Sequence, residues 1–74
     1  MSEEIKTRIG TIEAPYGREI WLDEVLFESG MRLLRLTIKE GRRFTQLDLD
    51  PATADQWSQI MLDWASRSKQ GQPE

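Results

Sequence analysis

Short breaks that carry glycine divide residues 5–49 into segments rich in residues that suit a pleated sheet. In the first segment, apolar positions alternate with Lys6 and Arg8, which is the period of two expected of a half-buried strand. Two-residue links join antiparallel neighbours, so this spacing predicts a four-stranded antiparallel meander. The later segments are expected at 19–28, 31–39 and 42–49, with breaks at Ser29-Gly30 and Glu40-Gly41 and a type I turn over residues 14–17.

A helix start signal follows the last of these segments. Asp50 can accept backbone N–H groups as an N-cap, and Pro51 suits the first helical position, where its missing N–H costs nothing. Apolar side chains then recur at i, i+3, i+4 spacing, which predicts one amphipathic helix that ends near residue 69. The apolar stripe consists of Ala54, Trp57, Ile60, Met61, Trp64 and Ala65.

These elements predict an α+β fold, in which a four-stranded antiparallel meander is followed by one C-terminal helix packed on one face of the sheet. Residues 5–69 are expected to form the single domain, residues 1–4 a flexible N-terminus and residues 70–74 a frayed tail. A chain of 74 residues buries only about 60% of its unfolded surface, so we expect both helical tryptophans to lie against the sheet. More apolar surface remains than one chain can hide, which favours a homodimer.

The register of the turns assigns each strand residue to a face. If Glu28 opposes Met31, Trp21 lies beneath the helix, in the core. A bulge near Asp23-Glu24 would reverse this assignment for the second strand. The opposite face is then expected to mix five cations with apolar side chains: Lys6, Arg8, Leu22, Leu26, Leu33, Arg35, Lys39, Arg42 and Phe44.

The residue types absent from the chain exclude most catalytic chemistry. There are 0 Cys and 0 His, which removes thiol nucleophiles, imidazole bases and the common zinc ligands. The calcium-loop signature fails after Asp48, because Thr53 and Gln59 stand where Gly and Glu are required. We therefore expect a non-enzymatic protein with no cofactor and no metal. The acidic N-terminus and the absence of a long apolar run predict a cytoplasmic protein with no membrane association.

One part of the chain resembles a known family. It comprises Gly41-Arg42-Arg43, the capped segment 47–51 and the helix start Asp55-Gln56-Trp57, which continues to Ile60. A basic turn, a short apolar strand, a Pro-bearing cap and an acid-Gln-Trp helix start resemble the single-stranded-DNA-binding domain of the transcriptional positive cofactor four family. The likeness extends over about residues 16–66, with Ala52-Thr53-Ala54 as an apparent insertion. The chain also departs from that family in having a tighter hairpin and a net charge of −3.

The resemblance implies a homodimer whose sheets hold single strands through cations and aromatic rings, as an accessory protein of transcription or DNA maintenance. Physically, such binding combines charge on phosphates with base stacking. The residues expected to supply it are Lys6, Arg8, Arg35, Lys39, Arg42 and Phe44. Two alternatives stay open: these cations simply solvate an exposed sheet face, or the fold serves as a protein–protein interaction module without a nucleic-acid role.

Overall fold

The computed structural model describes residues 3–71 and contains four strands and one helix. They are β1 (Glu4–Ala14), β2 (Arg18–Phe27), β3 (Arg32–Glu40), β4 (Arg43–Leu49) and α1 (Pro51–Gly71). The strands pair antiparallel in the order β1-β2-β3-β4. The predicted α+β class and meander are therefore confirmed. Glu4, which was predicted to be flexible, lies in β1, and the helix extends to Gly71, two residues beyond its predicted end. Residues 1–2 and 72–74, which belong to the two predicted tails, lie outside the described residues.

Three residues, 28–30, lie between the facing residues Phe27 and Met31 of the second hairpin, where a two-residue link was predicted. Phe27 N–H donates to the Met31 carbonyl, and Gly30 N–H donates to the Phe27 carbonyl, both at 2.9 Å. Gly30 has a φ of 95°, the left-handed conformation that closes such a loop. Phe27 rather than Glu28 thus faces Met31, and this one-residue slip turns every side chain of β2 to the other face. Trp21 accordingly lies away from the helix, so its predicted place in the core was wrong.

The first hairpin also differs from expectation. Ala14 pairs with Arg18, and the intervening residues include Tyr16 with a φ of 67° and Gly17 with a φ of 73°. A type I turn over residues 14–17 requires a negative φ at its third residue, so that prediction was wrong. A register shift between Arg8 and Gly10 inserts one extra residue into β1.

The last hairpin preserves the predicted faces of β3 and β4. Glu40 pairs with Arg43 across Gly41-Arg42, whereas Lys39 was expected opposite Arg42. The two pairings differ by two residues in register, so the side chains keep their sides of the sheet. We call the side toward α1 the helix side; the apolar sheet residues that line the groove beneath α1 there are Ile12, Ile20, Leu22, Leu34, Leu36, Ile38, Leu47 and Leu49.

Asp50 caps α1 as predicted. Its carboxylate accepts the backbone N–H of Thr53 at 3.3 Å, and its carbonyl accepts the N–H of Ala54 at 2.9 Å. Hydrogen bonding from Thr53 lowers the pKa of Asp50 below its ordinary value. The cap fixes where the chain turns back over the helix side of the sheet.

The helix does not bury its tryptophans against the sheet of its own chain. Trp57 is 38% exposed and Trp64 62% exposed, so the predicted packing of both within one chain was wrong. The radius of gyration is 15.0 Å, against about 11 Å for a compact domain of this length. Only the first part of α1 lines a groove over the helix side, through Ala54, Trp57, Ser58 and Met61. The chain is therefore an open two-layer structure.

Candidate nucleic-acid interface on the outer face

The side of the sheet away from α1, here called the outer face, is built from cross-strand rows of side chains. The central row is Arg8, Asp23, Arg35 and Asp48, one residue from each strand. The next row toward the first hairpin is Thr11, Trp21, Thr37 and Gln46, and the row beyond it is Glu13, Glu19, Lys39 and Phe44. Each row follows from the observed registers, because directly paired residues point to the same side.

Two aromatic rings, one from β2 and one from β4, meet on this face. The centroids of Trp21 and Phe44 lie 5.9 Å apart with a tilt of 48°, a favourable geometry for an aromatic pair. Phe44 is 54% exposed, and the Trp21 ring is half-buried. The Arg8 guanidinium lies over the Trp21 ring at 5.0 Å, and the indole N–H donates to Glu19 Oε1 at 3.0 Å. These contacts hold Trp21 in place and leave Phe44 accessible.

The central row is a ladder of alternating charge. Arg8 Nε donates to Asp23 Oδ1 at 2.5 Å, and Arg35 donates to both carboxylate oxygens of Asp48 at 2.9 and 3.0 Å. The hydrogen bonds from Arg35 lower the pKa of Asp48, and those to Asp48 raise the pKa of Arg35. Asp23 is 2% exposed, so its carboxylate depends on a partner. Both arginines therefore stabilise the sheet itself.

The structure places five of the six predicted site residues on the outer face. Lys39 pairs with Phe44, whereas Lys6 pairs with Val25, about 20 Å away along the strand direction. Arg42 lies in the Gly41-Arg42 hairpin, at the Lys39 end of the sheet. Among the described residues, no carboxylate lies within 4.0 Å of the charged groups of Lys6, Lys39 or Arg42. Of the six predicted site residues, these three are the cations left for a ligand.

Sequence reasoning missed Trp21 as a member of this face. The signal was present in residues 27–31, where a three-residue loop that ends in glycine is as compatible with the sequence as a two-residue loop. The prediction of the shorter loop placed Trp21 beneath the helix and Leu22 and Leu26 on the outer face. In the structure Trp21 lies on the outer face, and Leu22 and Leu26 lie on the helix side.

Residues 3–71 contain no group of three or more acidic side chains arranged to hold a metal ion. No helix within this part of the chain combines the length and apolar character needed to span a membrane.

Residues 3–67 match a family of unknown function, DUF6967. The chain belongs to this family. The DUF6967 match spans all four strands and α1 as far as Arg67, so it includes both the outer face and the apolar stripe of the helix. Searches of the curated proteins and of the solved structures each found no match.

Proposed function

We propose that this DUF6967 protein is a small, non-enzymatic, homodimeric binding protein that holds single-stranded nucleic acid on its outer face. The observation that carries the proposal is the Trp21–Phe44 pair on the outer face, with Lys39 next to Phe44. We further propose that the protein is related to the transcriptional positive cofactor four family and acts in the cytoplasm as an accessory protein of transcription or DNA maintenance.

Exposed rings on a sheet are suited to unpaired bases. Stacking of a base on an aromatic side chain contributes about 1–3 kcal/mol per base and tolerates any base, because every base has a π-face. Phe44 offers such a ring, and Gln46, which is exposed on the same strand, can form hydrogen bonds to a base edge.

Phosphate binding would use the three predicted site cations that have no ion-pair partner among the described residues. With Lys6, Lys39 and Arg42 each neutralising one phosphate, the slope of log K against log salt is expected near −2, from about −0.7 per contact on single strands. This modest slope is consistent with a chain whose net charge is −3. Binding is therefore expected to depend more on stacking than on charge.

The test is fluorescence anisotropy of a labelled strand of about 20 nucleotides, titrated with protein at low and moderate salt. We expect Phe44→Leu to weaken binding roughly 5- to 150-fold, because it keeps an apolar side chain but loses the ring. Phe44→Tyr is the matched control and should bind like the unchanged protein. Absence of binding at low salt, or equal binding by both variants, would contradict the proposal.

A second candidate function is a protein–protein interaction module of the same fold. It is favoured by the ladder on the outer face, since Arg8 and Arg35 are engaged by Asp23 and Asp48 and the chain is acidic overall. The same titration separates the candidates, because a protein interface of this kind gives no salt-sensitive binding of a single strand.

A further inference from the structure

The helix carries an apolar stripe that its own sheet leaves open. Trp57, Ile60, Met61 and Trp64 follow the i, i+3, i+4, i+7 spacing of one helix face. Ile60 is 70% exposed and Met61 57% exposed, and the two tryptophans are exposed as described above. We call these four residues the tryptophan stripe. Its middle lies between Ile60 and Met61, with one tryptophan on each side.

The exposed apolar area is what a small stable interface requires. Trp57 and Trp64 together expose about as much surface as one whole tryptophan, roughly 150–250 Å². Ile60, Met61 and the nearby Ile12 and Leu47 raise the total to roughly 300–500 Å² per chain. A standard interface takes about 800 Å² per partner, of which about 450–520 Å² is apolar.

We propose that a second copy of this chain covers the tryptophan stripe, with the two α1 helices packed antiparallel. A two-fold axis then passes between Ile60 and Met61, and Trp57 of each chain lies beside the partner's Trp64. Such a contact is self-complementary, because the same patch on both subunits supplies both halves of the interface. The inference rests on the homodimer of the proposed function and is independent of its nucleic-acid part.

Charge at the two ends of α1 favours the antiparallel direction. The N-terminal end carries Asp50 and Asp55, and the C-terminal half carries Arg67 and Lys69 against one acid, Asp63, which lies 3.4 Å from Arg67. The C-terminal half therefore stays basic. Antiparallel helices place the acidic end of one beside the basic end of the other, whereas parallel helices place like charges together. The helix dipoles also favour the antiparallel arrangement, because it brings opposite ends of the two dipoles together.

The open groove between α1 and the sheet is continuous with this stripe. Its volume is about 310 Å³, and Trp57 and Met61 belong to both the groove and the stripe. Ile12, Ile20 and Leu47 line its opposite wall. A partner helix seated on the stripe would therefore also shield the mouth of the groove from water.

Because the chain has no cysteine, one introduced thiol reports the proximity of the two copies without background. Ile60→Cys places that thiol beside the proposed axis, where helix axes are about 8–10 Å apart. Leu62→Cys is the matched control: Leu62 is 66% exposed, similar to Ile60, but lies on another side of the helix. A short bismaleimide should convert the Ile60→Cys protein to covalent dimer and leave Leu62→Cys monomeric on a denaturing gel. Equal cross-linking of both, or none at position 60, would overturn the arrangement.

A charge placed in the stripe gives the second readout. Trp64→Glu should halve the molar mass measured by light scattering and retain the β-sheet circular dichroism signal, while Leu62→Glu keeps the dimer mass. A Trp64→Glu protein that remains dimeric would contradict the proposal. Neither experiment contains nucleic acid, so both test the interface alone. A cross-linked dimer that does not bind a single strand in the titration above would refute the nucleic-acid role but not this interface.

Discussion

Asp23 is the residue on which the outer face depends most. It is a carboxylate with almost no exposed surface, yet no buried side-chain N or O atom of the described residues lacks a hydrogen-bond partner. Arg8 satisfies it directly, and Arg35 is its cross-strand neighbour on β3. Removing one partner of a buried ion pair costs more than the pair itself contributes, since an uncompensated charge remains.

Arg8→Met should therefore destabilise the protein, by about 1–3 kcal/mol in the free energy of unfolding. Lys6→Met is the matched control on the same strand and face, and its effect should stay within about 0.5 kcal/mol because Lys6 has no ion-pair partner among residues 3–71. Urea unfolding of both variants measures the difference. Equal stability of the two variants would show that the buried carboxylate does not need its arginine.

Among the elements, the first hairpin holds a strained residue. Tyr16 has a φ of 67°, is 91% exposed and touches Arg18, whose guanidinium lies 5.7 Å from its ring. A left-handed conformation costs an ordinary L-residue about 1–2 kcal/mol, and Asn tolerates it better. Some of that cost is offset by the contact with Arg18.

Tyr16→Asn should accordingly raise the stability by about 0.5–1 kcal/mol. Tyr16→Phe keeps both the backbone strain and the ring and should melt like the unchanged protein. Thermal unfolding followed by circular dichroism provides the measurement. A lower melting temperature for Tyr16→Asn would mean that the ring contact outweighs the strain.

The same elements show how far sequence reasoning reaches. The strand order, the Asp50 cap and the faces of β3 and β4 were predictable. The first two depend on local patterns, and the third depends on a turn in which a register shift of two residues leaves every side chain on the same side of the sheet. The faces of β2 were not, because one additional residue in the loop after Phe27 reverses them. Trp21 was therefore absent from the predicted site, although Phe44 and Lys39 were placed together on the outer face.

The packing of α1 could not be predicted for a different reason. An apolar stripe indicates that a helix face is to be covered, but it does not indicate which chain covers it. The single chain spans 54 × 30 × 15 Å and leaves most of the stripe exposed. On the scale of the whole molecule, the protein thus presents two different surfaces: an apolar helix side, proposed for a second copy, and an outer face with paired charges and an aromatic pair, proposed for single-stranded nucleic acid.

The most direct test of this two-surface account is the molar mass from light scattering of the eluting protein, with and without a strand of about 20 nucleotides at low salt. We expect twice the 8.6 kDa of one chain for the protein alone, and a heavier species that contains the strand when both are present. A mass of 8.6 kDa would contradict the proposed helix-side interface, and a dimer that elutes free of the strand would contradict the proposed role of the outer face.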